Sequence, residues 1–302
     1  MSKNIQILVR FAFAFIIIVI GHYVIVAQTT LTGDWKAEVK SEKNPDKIYL
    51  SFERRTQRGN SNIGQTYNYA DLQGLSREQA NGSGAAKFNL AREAGTIECE
   101  GNFTNGKGAG TFRFTPNMQF VSAMKSRGFD FEKSSKFGGE ENNLENRLFA
   151  AATLNVTTAL ADDLLSANFG KLDVDDLFKA AIFKIDSKFM TEMKASGFPN
   201  LTMEDLVKAR IFKIDADFVR QVAQMGFNKE PFESLVKLRI FKITPEFITE
   251  VRGEGLTNLD VEDLVKMKIF KIDSEFIRQA KADGVPLEVE KLVQKRIGVW
   301  GK

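Results

Sequence analysis

Three sets of cations and one set of aromatics recur in the C-terminal half of the sequence, each at a spacing of 29 residues. Lys179, Lys208, Lys237 and Lys266 share one position; Arg210, Arg239 and Lys268 share a second; Lys184, Lys213, Lys242 and Lys271 share a third. Phe183, Phe212, Phe241 and Phe270 precede the third set by one residue. Cations held in rows could bind an anionic partner, such as an acidic protein, a cell-wall polymer or a lipid headgroup. A row of exposed phenylalanines would supply an apolar groove. Both features also have a structural reading. Lys and Arg near a helix C-terminus complement its dipole, and the phenylalanines of stacked repeats bury against neighbouring copies. Acids at the opposite helix ends cancel the net field, so the structural reading is the stronger one. The candidate binding residues are Lys208, Arg210, Lys213, Lys237, Arg239, Lys242, Lys266, Lys268, Lys271, Phe212, Phe241 and Phe270.

Catalytic patterns are absent from the sequence. His22 is the only histidine and lies in an apolar N-terminal run. A mature chain without it has no Ser-His-Asp or Cys-His nucleophilic site and no His-ligated zinc. Cys99 is the only cysteine, so no intramolecular disulfide forms, although an exported chain could carry one. Its neighbours Glu98 and Glu100 oppose a thiolate, and Ile97, Cys99 and Phe103 share one parity, which reads as a small buried hydrophobe on a strand. Asp173, Asp175 and Asp176 lack the glycine and distal glutamate of an EF-hand and suit a helix N-terminus. The glycines of GNFTNGKGAG lack the Lys-Ser/Thr of a phosphate loop and read as turn chemistry. Neither a cofactor nor a metal pattern is present, and no catalytic residue is assigned.

The N-terminus predicts export. Lys3 and Arg10 precede the uncharged run Phe11–Ala27, and the polar QTTLTGDW follows. This is the layout of a secretory signal peptide cut after Ala27, with an uncleaved membrane anchor as the alternative. Of 42 basic residues, losing Lys3 and Arg10 leaves 40 against 39 acidic ones. A mature net charge of +1 gives no global field for nucleic acid.

The elements that would hold these rows are legible. From Trp35 to Phe114 apolar residues alternate: Ile48, Leu50 and Phe52; Phe88 and Leu90; Phe112 and Phe114. That period marks five or six half-buried antiparallel strands, and Asn105-Gly106 suits a tight hairpin turn. Further on, Leu177, Leu206, Leu235 and Leu264 keep the 29-residue step, Leu148 extends it backwards and Leu292 falls one residue early. Five units and a terminal half unit result, the signature of a repeat array. Each unit reads as two helices. Met203, Leu206, Val207 and Ile211 form one face of the first, and Thr202 caps it, with Asp205 three residues on. Asp186, Asp215, Thr244 and Asp273 cap the second helices; Pro245 suits a first helical position; Gly197, Gly226, Gly255 and Gly284 end them. NMQFVSAMKSRGF repeats the second-helix pattern once, before the polar stretch DFEKSSKFGGEENN.

AREAGTIECEGNFTNGKGAGTFRFTPNMQFV, followed by copies of EDLVKxRIFKIDxxFI, resembles the extracytoplasmic C-terminal region of some BlaR-type regulatory membrane metallopeptidases and of stand-alone exported homologues. The resemblance runs from about Trp35 to the end. This chain lacks that family's multi-span domain and its HExxH, so the resemblance implies a sensor or binding role and no peptidase activity.

The expectation is a multidomain α+β protein. Residues 1–27 are the signal peptide or anchor, 30–116 a small antiparallel β barrel or sandwich, 117–143 a single helix and polar linker, and 144–302 an α-helical solenoid of 29-residue hairpins. The expected function is an exported, non-enzymatic binding, sensor or scaffold role, in which the repeats recruit a protein or an anionic envelope polymer. Membrane contact would come only through residues 11–27 if uncleaved. The alternatives are a carboxylate-based enzyme on the β-domain and a structural, membrane-tethered spacer.

Overall fold

The structure is a computed structural model, and it describes residues 30–39, 44–56, 59–133 and 143–301. The expected signal or anchor and most of the polar stretch before the repeats lie outside the described residues. The described residues fall into two compact units: one comprises those up to Ala91 together with Gly95–Pro116, the other Arg92–Ala94 together with Asn117 onward.

The first unit is one curled, antiparallel half-barrel sheet of seven strands. These are β1 (Leu31–Glu38), β2 (Lys47–Thr56), β3 (Gly59–Asn68), β4 (Leu72–Gln73), β5 (Ser83–Arg92), β6 (Gly95–Thr104) and β7 (Lys107–Pro116), in the order β3-β2-β1-β7-β6-β5-β4. A short helix α1 (Arg77–Asn81), closed by a reciprocal Ser76–Gln79 capping box, packs on β6 and β7. The alternation of apolar residues predicts a small barrel or sandwich. Instead β7 returns to pair with β1, which joins two meanders into a single sheet, and among the described residues β3 and β4 do not pair with each other. The alternating residues converge on one face: Ile48, Leu50, Phe52, Phe88, Leu90, Ile97, Cys99, Phe103, Phe112 and Phe114 are all buried. Trp35 anchors them. Its ring meets Phe88 edge-on at 5.2 Å, and its indole nitrogen donates to the Glu100 carbonyl at 3.2 Å. The ring lies against Gly101, where a Cβ would come within 2.8 Å of it. Asn105 and Gly106 take positive φ angles of 48° and 82° and close the two-residue β6–β7 hairpin.

The second unit is helical. Its helices are α2 (Met118–Ser126), α3 (Leu144–Leu154), α4 (Thr158–Ser166), α5 (Val174–Phe183), α6 (Ser187–Ala195), α7 (Met203–Phe212), α8 (Ala216–Gln224), α9 (Phe232–Ile240), α10 (Pro245–Gly253), α11 (Val261–Ile269), α12 (Ser274–Ala282) and α13 (Val289–Arg296). The 29-residue period appears as an alternation of two helix types. First helices pack in sequence, α3 on α5, α5 on α7, α7 on α9, α9 on α11 and α11 on α13. The second helices α2 and α4, α4 and α6, and α10 and α12 also touch. Leu148, Leu177, Leu206, Leu235, Leu264 and Leu292 are all buried.

Local chemistry explains the helix ends. Asp186, Asp215 and Asp273 accept from the backbone N–H three residues on, at 2.8, 2.9 and 2.8 Å, and Thr244 does so at 3.3 Å before Pro245. Asp173 with Asp176, Thr202 with Asp205, and Asp260 with Asp263 form reciprocal capping boxes on first helices. Pro231 precedes α9 with no side-chain cap, so the fourth copy departs from its neighbours. The four lysines of the third row, read both as dipole partners and as candidate binding cations, occupy a more demanding place. Lys184, Lys213, Lys242 and Lys271 have φ of 56°, 54°, 50° and 51°, the left-handed conformation that turns the chain into the next helix.

Candidate functional site

The structure separates the three cationic rows by what each one touches. Lys179, Lys208, Lys237 and Lys266 form ion pairs with Glu204, Glu233, Glu262 and Glu290, each in the first turn of the next copy's first helix. The hydrogen bonds to Glu233 and Glu290 raise the Lys208 and Lys266 pKa values above the ordinary lysine range. This row is a ladder that ties copy to copy.

The second row is also used internally. The Arg210 guanidinium lies 3.7 Å above the Phe189 ring and donates to the Lys184 carbonyl at 2.6 Å. Arg239 repeats the pair, 3.7 Å above Phe218 and donating to the Lys213 carbonyl at 2.8 Å. Lys268 sits 3.6 Å above Phe247, and burial there lowers its pKa. Arg296 closes the series over Phe276 and donates to the Lys271 carbonyl. Each contact joins a first helix to the copy before it, and cation–π contacts of this kind contribute about 0.5–2 kcal/mol. Lys208, Lys237 and Lys266, together with Arg210, Arg239 and Lys268, are therefore engaged in contacts between neighbouring copies.

The third row differs. Lys184, Lys213, Lys242 and Lys271 are exposed, and among the described residues their ammonium groups have no ion-pair or hydrogen-bond partner. Phe183, Phe212, Phe241 and Phe270, one residue before them, are half-buried. Together with the exposed residue before each phenylalanine they make an Ile-Phe-Lys motif at one repeat position.

The exposed isoleucine departs from the sequence expectation. Ile211, placed above on the apolar face of its helix, is 53% exposed. Ile182, Ile240 and Ile269 are 40, 49 and 54% exposed, and Ile297 at the same place in the terminal half unit is 54% exposed. Among the described residues only eight large hydrophobic side chains are exposed, so these five at one repeat position account for most of them. The buried stripe of α7 is Met203, Leu206 and Ala209. Ile211 lies about 140° of helical rotation from the centre of that stripe. Giving Ala209 weight as a core residue would have revealed the outward isoleucine.

The first copy lacks the motif. Thr153 stands where Ile182 would be, buried, with its hydroxyl donating to the Phe149 and Ala150 carbonyls. Asn155 stands at the left-handed corner in place of lysine. The motif recurs from Ile182 to Lys271, and in the terminal half unit Ile297 keeps only the exposed isoleucine.

In the β unit, burial raises the Cys99 thiol far above its ordinary pKa and removes its thiolate character. Glu100 is held by exposed Lys87 at 2.6 Å. Among the described residues no cluster of three or more His, Cys, Asp or Glu side chains is arranged to hold a metal ion. Comparison of the chain with models of known protein families and with curated proteins gives no match.

Proposed function

We propose that the repeated helix pairs build an α-helical solenoid of 29-residue hairpins, which serves as an exported, non-enzymatic binding or sensor module. Its docking surface is the Ile-Phe-Lys strip, and its partner is a protein segment that is both apolar and acidic. The observation that carries this reading is the repetition of solvent-exposed isoleucine at one position in five successive layers. Single exposed apolar residues are ordinary on a protein surface; a line of them beside free cations is the pattern of an interaction site.

The lysines strengthen it. A left-handed corner favours Gly or Asn, and the first copy does use Asn155 there. Four consecutive copies keep lysine where it costs local conformational energy, with no side-chain partner among the described residues to offset the cost. A retained local cost of this kind points to function more than to folding. Export rests on residues 1–27, and the sensor role on the resemblance to the extracytoplasmic region of BlaR-type proteins.

Affinity capture from an envelope extract tests this function. The wild type is compared with a variant carrying Ile211→Ser, Ile240→Ser and Ile269→Ser whose helical circular dichroism is unchanged. An acidic protein retained by the wild type and lost from the variant is the expected result. Identical captured sets would overturn the reading.

A further inference from the structure

We infer that the strip accepts an acidic amphipathic α-helix laid along the stack, one heptad of the partner to each layer of the array. This rests on the strip being the docking surface. The argument is one of period. The first helices α5, α7, α9, α11 and α13 pack on one another in sequence, and packed helices stand about 8–10 Å apart. Exposed isoleucines therefore recur at about that interval. Seven residues of α-helix rise about 10.5 Å and return to the same face. A partner with an apolar residue every seventh position thus meets Ile182, Ile211, Ile240, Ile269 and Ile297 in turn. Four intervals need a helix of about 28 residues. An extended strand presents same-face residues about every 6.6–7 Å, which falls out of step with alternate layers.

Charge selects the same occupant. Each of the first four of these layers offers one free ammonium, on Lys184, Lys213, Lys242 or Lys271, next to the exposed isoleucine. A carboxylate flanking each apolar position of the partner would pair with it. A second copy of this chain would set its own lysine row against this one, so self-association through the strip is disfavoured. An anionic bilayer is flat and would also meet the exposed cap carboxylates Asp186, Asp215 and Asp273, two residues beyond three of the lysines. A helix is narrow enough to engage the isoleucine and lysine line alone.

The test uses the full-length protein and three probes: two labelled 28-residue peptides of identical Leu, Glu, Ala and Lys composition, and phosphatidylglycerol vesicles. One peptide has leucine every seventh residue with flanking glutamates; the other has the leucines every fifth residue. Fluorescence anisotropy is read for the wild type, for Ile211→Ser with Ile240→Ser, and for Lys213→Gln with Lys242→Gln. The expected result is at least tenfold tighter binding of the heptad peptide, weakened at least tenfold by the isoleucine pair and measurably by the lysine pair. Equal affinity for both peptides, still weakened by the variants, would overturn the heptad match and leave the docking strip standing. Strip-dependent binding to vesicles alone would replace the helical partner with a membrane surface. Binding of no probe, or binding indifferent to both variants, would overturn the strip itself.

Discussion

Replacing Lys213 and Lys242 with glycine should make the protein more stable and a poorer binder. Both residues hold the left-handed conformation, at φ of 54° and 50°. That conformation costs an L-residue about 1–2 kcal/mol, which glycine avoids. Glycine in turn adds unfolded-chain entropy equivalent to about 0.5–1 kcal/mol. The difference is a gain of about 0.5–1 kcal/mol per corner. Little is lost to offset it: the contact from Arg239 uses the Lys213 carbonyl, which glycine keeps, and neither ammonium has a partner among the described residues. The two corners are separate, so the double variant should gain about 1–2 kcal/mol. In a helical unit of this size that is roughly 2–8 °C in Tm, read by thermal and urea denaturation. Exposed ion pairs contribute about 0.2–1 kcal/mol each, so affinity for an acidic heptad peptide should fall roughly two- to thirtyfold. A lower Tm would show that the lysine side chains support the fold. A higher Tm with unchanged affinity would show that the row does not touch the partner.

Leu206→Ala, which empties a fully buried site in the stack, should cost about 2–5 kcal/mol, while Ile211→Ala on the strip should change stability by no more than about 0.5 kcal/mol; comparable losses in urea denaturation would contradict the assigned core face. Asp215→Ala removes a cap that accepts from the Phe218 N–H at 2.9 Å and should cost about 1 kcal/mol; an unchanged melting temperature would refute the corner geometry. Lys208 and Lys266 hold their protons more tightly folded than unfolded, so their contribution is complete below the unfolded lysine value of ~10.4 and is lost as the pH rises through the higher folded values. The wild type should therefore lose Tm above about pH 10.5, whereas Lys208→Arg with Lys266→Arg should lose less; parallel Tm–pH curves would show that the ladder does not matter.

What could be read directly from the residues was whatever depends on local chemistry. Caps at Asp186, Asp215, Thr244 and Asp273, the capping box at Thr202, the hairpin at Asn105-Gly106 and the marker leucines follow from neighbours a few residues away. Pairing of β7 with β1 is remote in sequence, and no local signal separates a curled single sheet from a barrel or sandwich. The roles of the cation rows depend on contacts between copies. Glu204, Glu233 and Glu262 form their own 29-residue column, and matching it to the lysine column would have exposed the ladder. The outward isoleucines were hidden because a residue eight places from Met203 falls near that residue on a helical wheel yet far from the centre of the stripe that Ala209 completes. Lysine at a left-handed corner carries no signal in the sequence, because glycine and asparagine dominate such positions.

Site-specific photo-crosslinking in an envelope extract addresses the docking strip most directly. A photoreactive phenylalanine is placed at Ile211 or Ile240 on the strip, or at exposed Gln221 on the second-helix side. One acidic partner crosslinked from both isoleucine positions and not from Gln221 is the predicted result. Crosslinks that form equally from all three positions, or only from Gln221, would contradict the strip as the binding surface.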